Sequence, residues 1–182
     1  MNWNQQVFNL LKSQGISQIS FVPDAGHASL IKFCERDEKL NIVRLTTEEE
    51  GISLAMGAWL GGQKSVLLMQ SSGVGNIVNM LASFAVCELP LPIFVTMRGD
   101  WSEFNPWQVA MGQATPKVFE CLNIPIFKAD RELEVVEMAE GAVRMAFNTY
   151  RTTALLISQR VLGAKTFHQS SDTNTEGRSH EH

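Results

Sequence analysis

The chain alternates between two hydrophobic rhythms. Six short apolar runs, at 16–22, 42–45, 65–70, 91–97, 124–128 and 153–158, are rich in Val, Ile, Leu and Phe and do not alternate with polar residues. Runs of that length and kind read as strands covered on both faces. Between them, apolar positions recur every three or four residues, as on one face of a helix. Val7, Leu10 and Leu11 mark the first stripe, Leu30, Ile31 and Cys34 the second, Ile52, Ala55 and Trp59 the third, and Ile77, Met80, Leu81 and Phe84 the fourth. Leu133, Val136, Ala139, Val143 and Phe147 give the clearest stripe, in the last long helix. This alternation predicts the α/β class, a doubly wound six-stranded, mostly parallel sheet with helices on both faces, because parallel strands need crossover connections. The stretch 98–116 breaks the rhythm. It carries Trp101, Phe104, Trp107, Pro106 and Pro116 without helical spacing, and is expected to be a long structured loop of the kind that usually serves function.

The same pattern sets the domain boundaries. Residues 1–163 form one domain and 164–182 a polar C-terminal tail. From His168 to His182 there is no apolar side chain, and three of the four histidines lie there. Such a segment cannot bury enough surface to offset its ordering entropy and is expected to be disordered. His27 is then the single histidine of the folded body, which argues against a His-rich catalytic metal centre; no metal ligands are expected on this chain.

Composition narrows the class further. Apolar residues are 45% and charged residues 19% of the 182, against roughly 25% charged in an average globular chain. The net charge of −4 provides no basic field for nucleic acid or anionic lipid. Cys34, Cys87 and Cys121 are odd in number and far apart, so a disulfide scaffold is not expected and a reducing, cytoplasmic setting is. No apolar run reaches the roughly 18 residues of a membrane span, and the start of the chain lacks the basic and apolar segments of a signal peptide.

Open parallel sheets bind ligands beyond the carboxyl ends of their strands, so the loops there hold the candidates. The Ser71–Asn76 loop, Ser-Ser-Gly-Val-Gly-Asn, follows a strand and opens a helix, whose free N–H groups suit an anion or polar ring. A dinucleotide fingerprint fails, because Val78 stands where its third glycine belongs. A tight turn that needs glycine explains the loop about as well as a ligand does. Glu48, Glu49 and Glu50 open a helix, where acids complement the dipole; at least one is expected to face the sheet edge, where a carboxylate can handle protons. His27 sits at the same edge. Asp24 is either a site residue or an N-cap. Arg98 is either an anion clamp or a surface partner of Asp100 or Glu103.

Taken together, the motifs V-P-D, T-T-E-E-E-G-I-S-L-A-M-G-A, M-Q-S-S-G-V-G-N and M-R-G-D-W, each at a strand end, resemble the pyrimidine-binding domain of thiamine-diphosphate enzymes, and most closely the sulfopyruvate and phosphonopyruvate decarboxylases. The similarity spans about residues 5 to 160. In that family a glutamate precedes a helical glycine by nine residues; Gly57 sets the register and implies Glu48. The resemblance implies that Glu48 hydrogen-bonds the ring nitrogen of the cofactor's aminopyrimidine, favouring the tautomer that takes a proton from the thiazolium carbon. It further implies that Pro23, Gln70, Ser71, Ser72, Gly73 and Asn76 line the cofactor pocket. Asp24, His27 and Arg98 become candidates for holding the substrate's anionic group, with Lys117 as a further basic group.

The family binds diphosphate and Mg²⁺ through a G-D-G motif on a second domain. This chain has none, since Arg98-Gly99-Asp100 is followed by Trp101. The resemblance therefore implies an α subunit, with thiamine diphosphate shared with a β subunit that carries the Mg²⁺ and diphosphate site. The expected activity is decarboxylation of an anionic 2-oxoacid, 3-sulfopyruvate first and phosphonopyruvate as the alternative. A non-catalytic α/β ligand-binding module is the reading from a different class.

Overall fold

A computed structural model describes residues 2–163; the expected tail at 164–182 lies outside the described residues. The elements follow as α1 (Trp3–Ser13), β1 (Ile16–Phe21), α2 (Ala28–Glu35), β2 (Asn41–Arg44), α3 (Glu48–Leu60), β3 (Lys64–Gln70), α4 (Val74–Val86), β4 (Leu91–Thr96), α5 (Trp107–Cys121), β5 (Ile126–Ala129), α6 (Val135–Thr149), β6 (Thr152–Ile157) and α7 (Gln159–Leu162). A single 3-10 turn, Ser71–Gly73, joins β3 to α4. The six strands form one sheet in the order β2-β1-β3-β4-β6-β5, and every neighbouring pair is parallel.

Both faces are covered. Val66, Leu68, Phe94, Leu155 and Ile157 pack with α1, α2 and α6. The intervening Leu67, Met69, Ile93, Val95 and Leu156 pack with α3, α4 and α5. The two-residue period of a strand thus sends alternate side chains into two cores, and a strand apolar on both faces reads as a continuous apolar run. This is why the strands were legible.

Two expectations change. The second half of the irregular stretch is helix: α5 begins at Trp107 and continues through Pro116 to Cys121. Its buried positions are Gln108, Gly112, Thr115 and Phe119, a helical stripe of which only one member is a large apolar residue. Hydrophobic periodicity is therefore absent although the geometry is helical. The stripe drawn through α6 is also offset, since Leu133 is 93% exposed and the buried face runs through Val135, Ala139, Ala142, Val143 and Ala146.

Small residues set how closely α5 sits on the sheet edge. A Cβ on Gly112 would lie 1.9 Å from the carbonyl oxygen of Arg98, so the helix rests on the start of the β4–α5 segment. There the chain turns at Gly99 with φ +74°, a left-handed conformation glycine adopts without steric cost.

Candidate active site at the carboxyl edge

Glu48 is the first residue of α3 and is only 7% exposed. It is turned inward, over the turn that ends β3. An ideal Cβ on Gly73 would stand 2.1 Å from Glu48 Oε1 and 2.3 Å from its carboxyl carbon. The backbone at Gly73 is ordinary, with φ −78° and ψ −15°. Glycine is there to admit the carboxylate, and the turn itself does not require it. Asn76, in the first turn of α4, donates its side-chain N–H to Glu48 Oε2 at 2.8 Å. Oε1 accepts no hydrogen bond among the described residues. The other two acids behave differently: Glu50 accepts the backbone N–H of Thr46 at 2.8 Å, and Glu49 is exposed.

On the other side of β3, a polar network joins three strand ends. Asp24 accepts from Gln70 Nε2 at 2.8 Å through one oxygen, and from the N–H groups of Gly26 and His27 and the hydroxyl of Thr96 (2.5 Å) through the other. It closes the turn that leads into α2 and does not cap the helix, whose N-cap is His27 without a side-chain capping bond. Gln70 Oε1 accepts from Ser72 Oγ and Gln108 Nε2, each at 3.0 Å, so Gln70 connects Asp24 to the turn beneath Glu48. Ser71 is fully buried, and its hydroxyl accepts from the N–H of Arg98 at 3.0 Å and donates to the carbonyl of the same residue at 3.3 Å. Its side chain therefore fastens the end of β3 to the residue that follows β4.

Arg98 and Glu103 form a two-pronged ion pair, Nε and Nη2 each 2.5 Å from a carboxylate oxygen. The pair is not on the surface: the side chains are 11% and 2% exposed. Glu103 also accepts from the N–H groups of Gly99 and Asn105 and from Gln159 Nε2. The Arg98 contact, chiefly, holds its carboxyl down to about 2, against an ordinary value near 4.5. Asp100 accepts from Ser158 Oγ and the N–H of Gln159, which secures the loop to α7. Phe104 lies over the guanidinium, 5.5 Å from ring centre to Cζ.

A cavity of about 210 Å³ opens among these groups, lined by Asn4, Asp24, Gln70, Thr96, Arg98 and Gln159 along with apolar residues and glycines of α1, the 24–26 loop and α7. Asn4 Oδ1 is buried without a hydrogen-bond partner among the described residues.

His27 does not share this position. It is 1% exposed, with Nε2 3.1 Å from the carbonyl oxygen of Phe94. Burial pushes its pKa below the ordinary 6.5, against the opposing charge of Asp24. A neutral imidazole packed under the sheet edge is the outcome, and His27 is not among the residues that line the cavity. Lys117 is exposed in α5, about 15 Å along the axis from Trp107 at 1.5 Å per residue, and is likewise not part of the edge. Pro23 is exposed at the rim.

The sequence reading missed Asn4, Thr96, Glu103 as a buried group, Gln108 and Gln159. All are polar residues whose role depends on neighbours distant in the chain, so neither spacing nor periodicity marks them.

A buried carboxylate with one oxygen anchored, the other unpartnered, and a cradle that any side chain at 73 would fill, is suited to a flat ring with a hydrogen-bond donor at its edge. The aminopyrimidine of thiamine diphosphate fits that description when its ring nitrogen is protonated. Together, fold and site are compatible with a domain that binds thiamine diphosphate. Residues 1–105 match the thiamine pyrophosphate enzyme, N-terminal TPP binding domain, and the chain belongs to that family.

Its relatives are more specific. The chain is 33% identical over 158 residues to sulfopyruvate decarboxylase subunit alpha of Methanococcus maripaludis, covering 86% of this chain and 95% of that one. It is 30% identical over 162 residues to sulfopyruvate decarboxylase of Methanosarcina acetivorans, covering 88% of this chain and 41% of the relative. A phosphonopyruvate decarboxylase of Streptomyces hygroscopicus is 31% identical over 60% of this chain and 28% of its own length. Among solved structures, 2-oxoglutarate:ferredoxin oxidoreductase of Magnetococcus marinus shares the fold, with TM-score 0.68 at 17% identity over 87% of this chain and 29% of that one.

Proposed function

We propose that the chain is the pyrimidine-binding α subunit of a two-subunit decarboxylase that converts 3-sulfopyruvate to sulfoacetaldehyde and CO₂. The observation that carries this is the inward carboxylate of Glu48, seated on Gly73 and held by Asn76. Glu48 binds the protonated ring nitrogen of the cofactor through its unpartnered oxygen and keeps that proton in place. Asn76 fixes the plane of the carboxylate, and Gly73 leaves room for it. Pro23, Gln70 and Ser72 form the rim, while Ser71 contributes by holding the loop. When bound, thiamine diphosphate supplies a thiazolium that accepts the electron pair released as CO₂ departs.

The cavity beside Gln70 receives the substrate's anionic arm. Arg98 lines it, and its Nη1 makes no hydrogen bond among the described residues. Asp24 lines the cavity too. A β subunit supplies the diphosphate and Mg²⁺ site, a reading supported by a relative named subunit alpha that this chain matches over 95% of its length and by a relative more than twice as long as the matched segment. Exposed Trp101, Phe104 and Trp107, beside the site, are the face it covers, since aromatic residues are enriched at such interfaces.

The test is reconstitution. The chain is co-produced with a candidate G-D-G-bearing partner, supplied with thiamine diphosphate and Mg²⁺, and assayed for aldehyde from sulfopyruvate and from phosphonopyruvate. Sulfopyruvate turnover that requires both subunits and falls at least ~100-fold in Glu48→Gln is expected, the scale of a lost proton-handling group. Near-wild-type rates for that variant overturn the assignment. Preferential turnover of phosphonopyruvate supports the second reading, which the Streptomyces relative favours. A partner-independent lack of any activity points to a non-catalytic module.

A further inference from the structure

We infer that Glu103 is a specificity-determining residue: by compensating Arg98 from behind, it makes the substrate cavity reject a doubly charged arm and accept a singly charged one. This rests on the decarboxylase reading above and deepens it.

Among the described residues, two that line the cavity carry charge, Asp24 and Arg98. Among the described residues Asp24 makes no ion pair, and Arg98 acts on it only at a distance. Both of its oxygens are occupied by N–H and O–H donors of Gln70, Gly26, His27 and Thr96, so its full negative charge remains. Arg98 alone would balance it. Yet Arg98 gives two of its donors to Glu103, a carboxylate that does not line the cavity and is held by three further donors. The three groups together sum to one negative charge. Asp100, the other acid of this loop, is tied to the start of α7. The imidazole of His27 is packed in the core at the opposite end of the Asp24 turn.

An arm entering this cavity finds donors in plenty, including Arg98 Nη1, but no surplus positive charge. A sulfonate carries one negative charge at any physiological pH. A phosphonate carries one or two, its second proton leaving near pH 6 by analogy with phosphate groups. The additional charge meets Asp24 with no surplus cation to offset it, and a like charge at close range is the repulsive element by which a pocket excludes a near-isostere. The volume, about 210 Å³, is below the roughly 300–1,000 Å³ of sites for drug-sized ligands and suits a short arm.

The test uses the assembled two-subunit complex and two unreactive probes, 3-sulfopropionate and 3-phosphonopropionate, with binding read by calorimetry. The wild type is expected to prefer the sulfonate at least tenfold at pH 8, and Glu103→Gln, which releases the charge of Arg98, to reduce that preference to threefold or less. Lowering the pH to 5.5 reduces it in the wild type too, because the phosphonate becomes a monoanion while the sulfonate does not change. This arm needs no variant and decides the matter if Glu103→Gln does not assemble. A preference unchanged by pH in the wild type, or unchanged in an assembled Glu103→Gln complex, overturns the inference. A complex that turns over sulfopyruvate but binds both probes equally overturns it and leaves the decarboxylase reading intact. A complex that discriminates the probes but releases no CO₂ does the reverse.

Discussion

Glu48 occupies the space that a side chain at position 73 would need. The two residues are 25 positions apart in the chain, yet a Cβ on Gly73 would overlap the carboxylate at 2.1 Å. The atoms it would meet all belong to the carboxylate end of the Glu48 side chain, so that side chain is what must give way. Gly73→Ala should therefore expel Glu48 from its seat. The expected outcome is a loss of kcat of at least ~100-fold in the assembled enzyme, with the unfolding temperature of the isolated chain little changed. Retained activity would show that the carboxylate works from another position.

Asn76 should behave as a graded version of the same effect. A hydrogen bond to a charged group is worth about 1.5–3 kcal/mol, so Asn76→Ala should cost roughly tenfold to a hundredfold in kcat. Asn76→Asp should cost more, because the new carboxylate would repel Glu48 where the amide held it. Measuring kcat for both variants checks the order as well as the size.

Glu103 ties stability to acidity. Its carboxyl titrates at about 2 in the folded chain, from an ordinary value near 4.5, mainly through the Arg98 contact. A depressed carboxyl stabilises the fold above the unfolded value and loses that contribution as pH falls toward the folded one. The window is therefore pH 4.5 down to about 2, and the contribution lost across it is on the order of 3 kcal/mol. Urea unfolding between pH 7 and 3 should show a steeper acid decline in the wild type than in Glu103→Gln.

His27 acts in a higher window. Burial lowers its pKa below 6.5, so the unfolded chain takes up a proton before the folded one does. Stability is complete above pH 6.5 and falls as pH drops below it. His27→Gln should flatten the stability profile between pH 6.5 and 5, and should leave KM for the oxoacid close to the wild-type value, since the ring is not in the cavity. A large KM effect would return His27 to the site.

The cysteines offer a simple check on the core. Burial, above all, pushes the Cys34 thiol up to about 12, whereas Cys87 and Cys121 are exposed. Thiolate-directed alkylation of the native chain at pH 8 should label two cysteines quickly and Cys34 only on unfolding.

The chain's own pattern was enough for the strands and most helices, because a sheet buried on both faces demands continuous apolar runs and a half-buried helix demands a stripe. The inward placement of Glu48 matches the expectation from its motif and register; composition leaves it level with Glu49 and Glu50. Helix α5 was not legible, because its inward positions are Gln108, Gly112 and Thr115, chosen for hydrogen bonds and close approach to Arg98.

Sequence alone thus determined the α/β architecture and the order of the strand-end motifs, since both follow from periodicity along a local stretch. Only the tertiary structure decided which polar groups remain available. It turned His27 inward, spent the hydroxyl of Ser71 on Arg98, and set Glu103 behind the guanidinium. The physical reason is that a hydrogen bond or ion pair belongs to two groups at once. Where those groups come from β1, β3, β4 and α7, their pairing exists only after the sheet has brought its strand ends together.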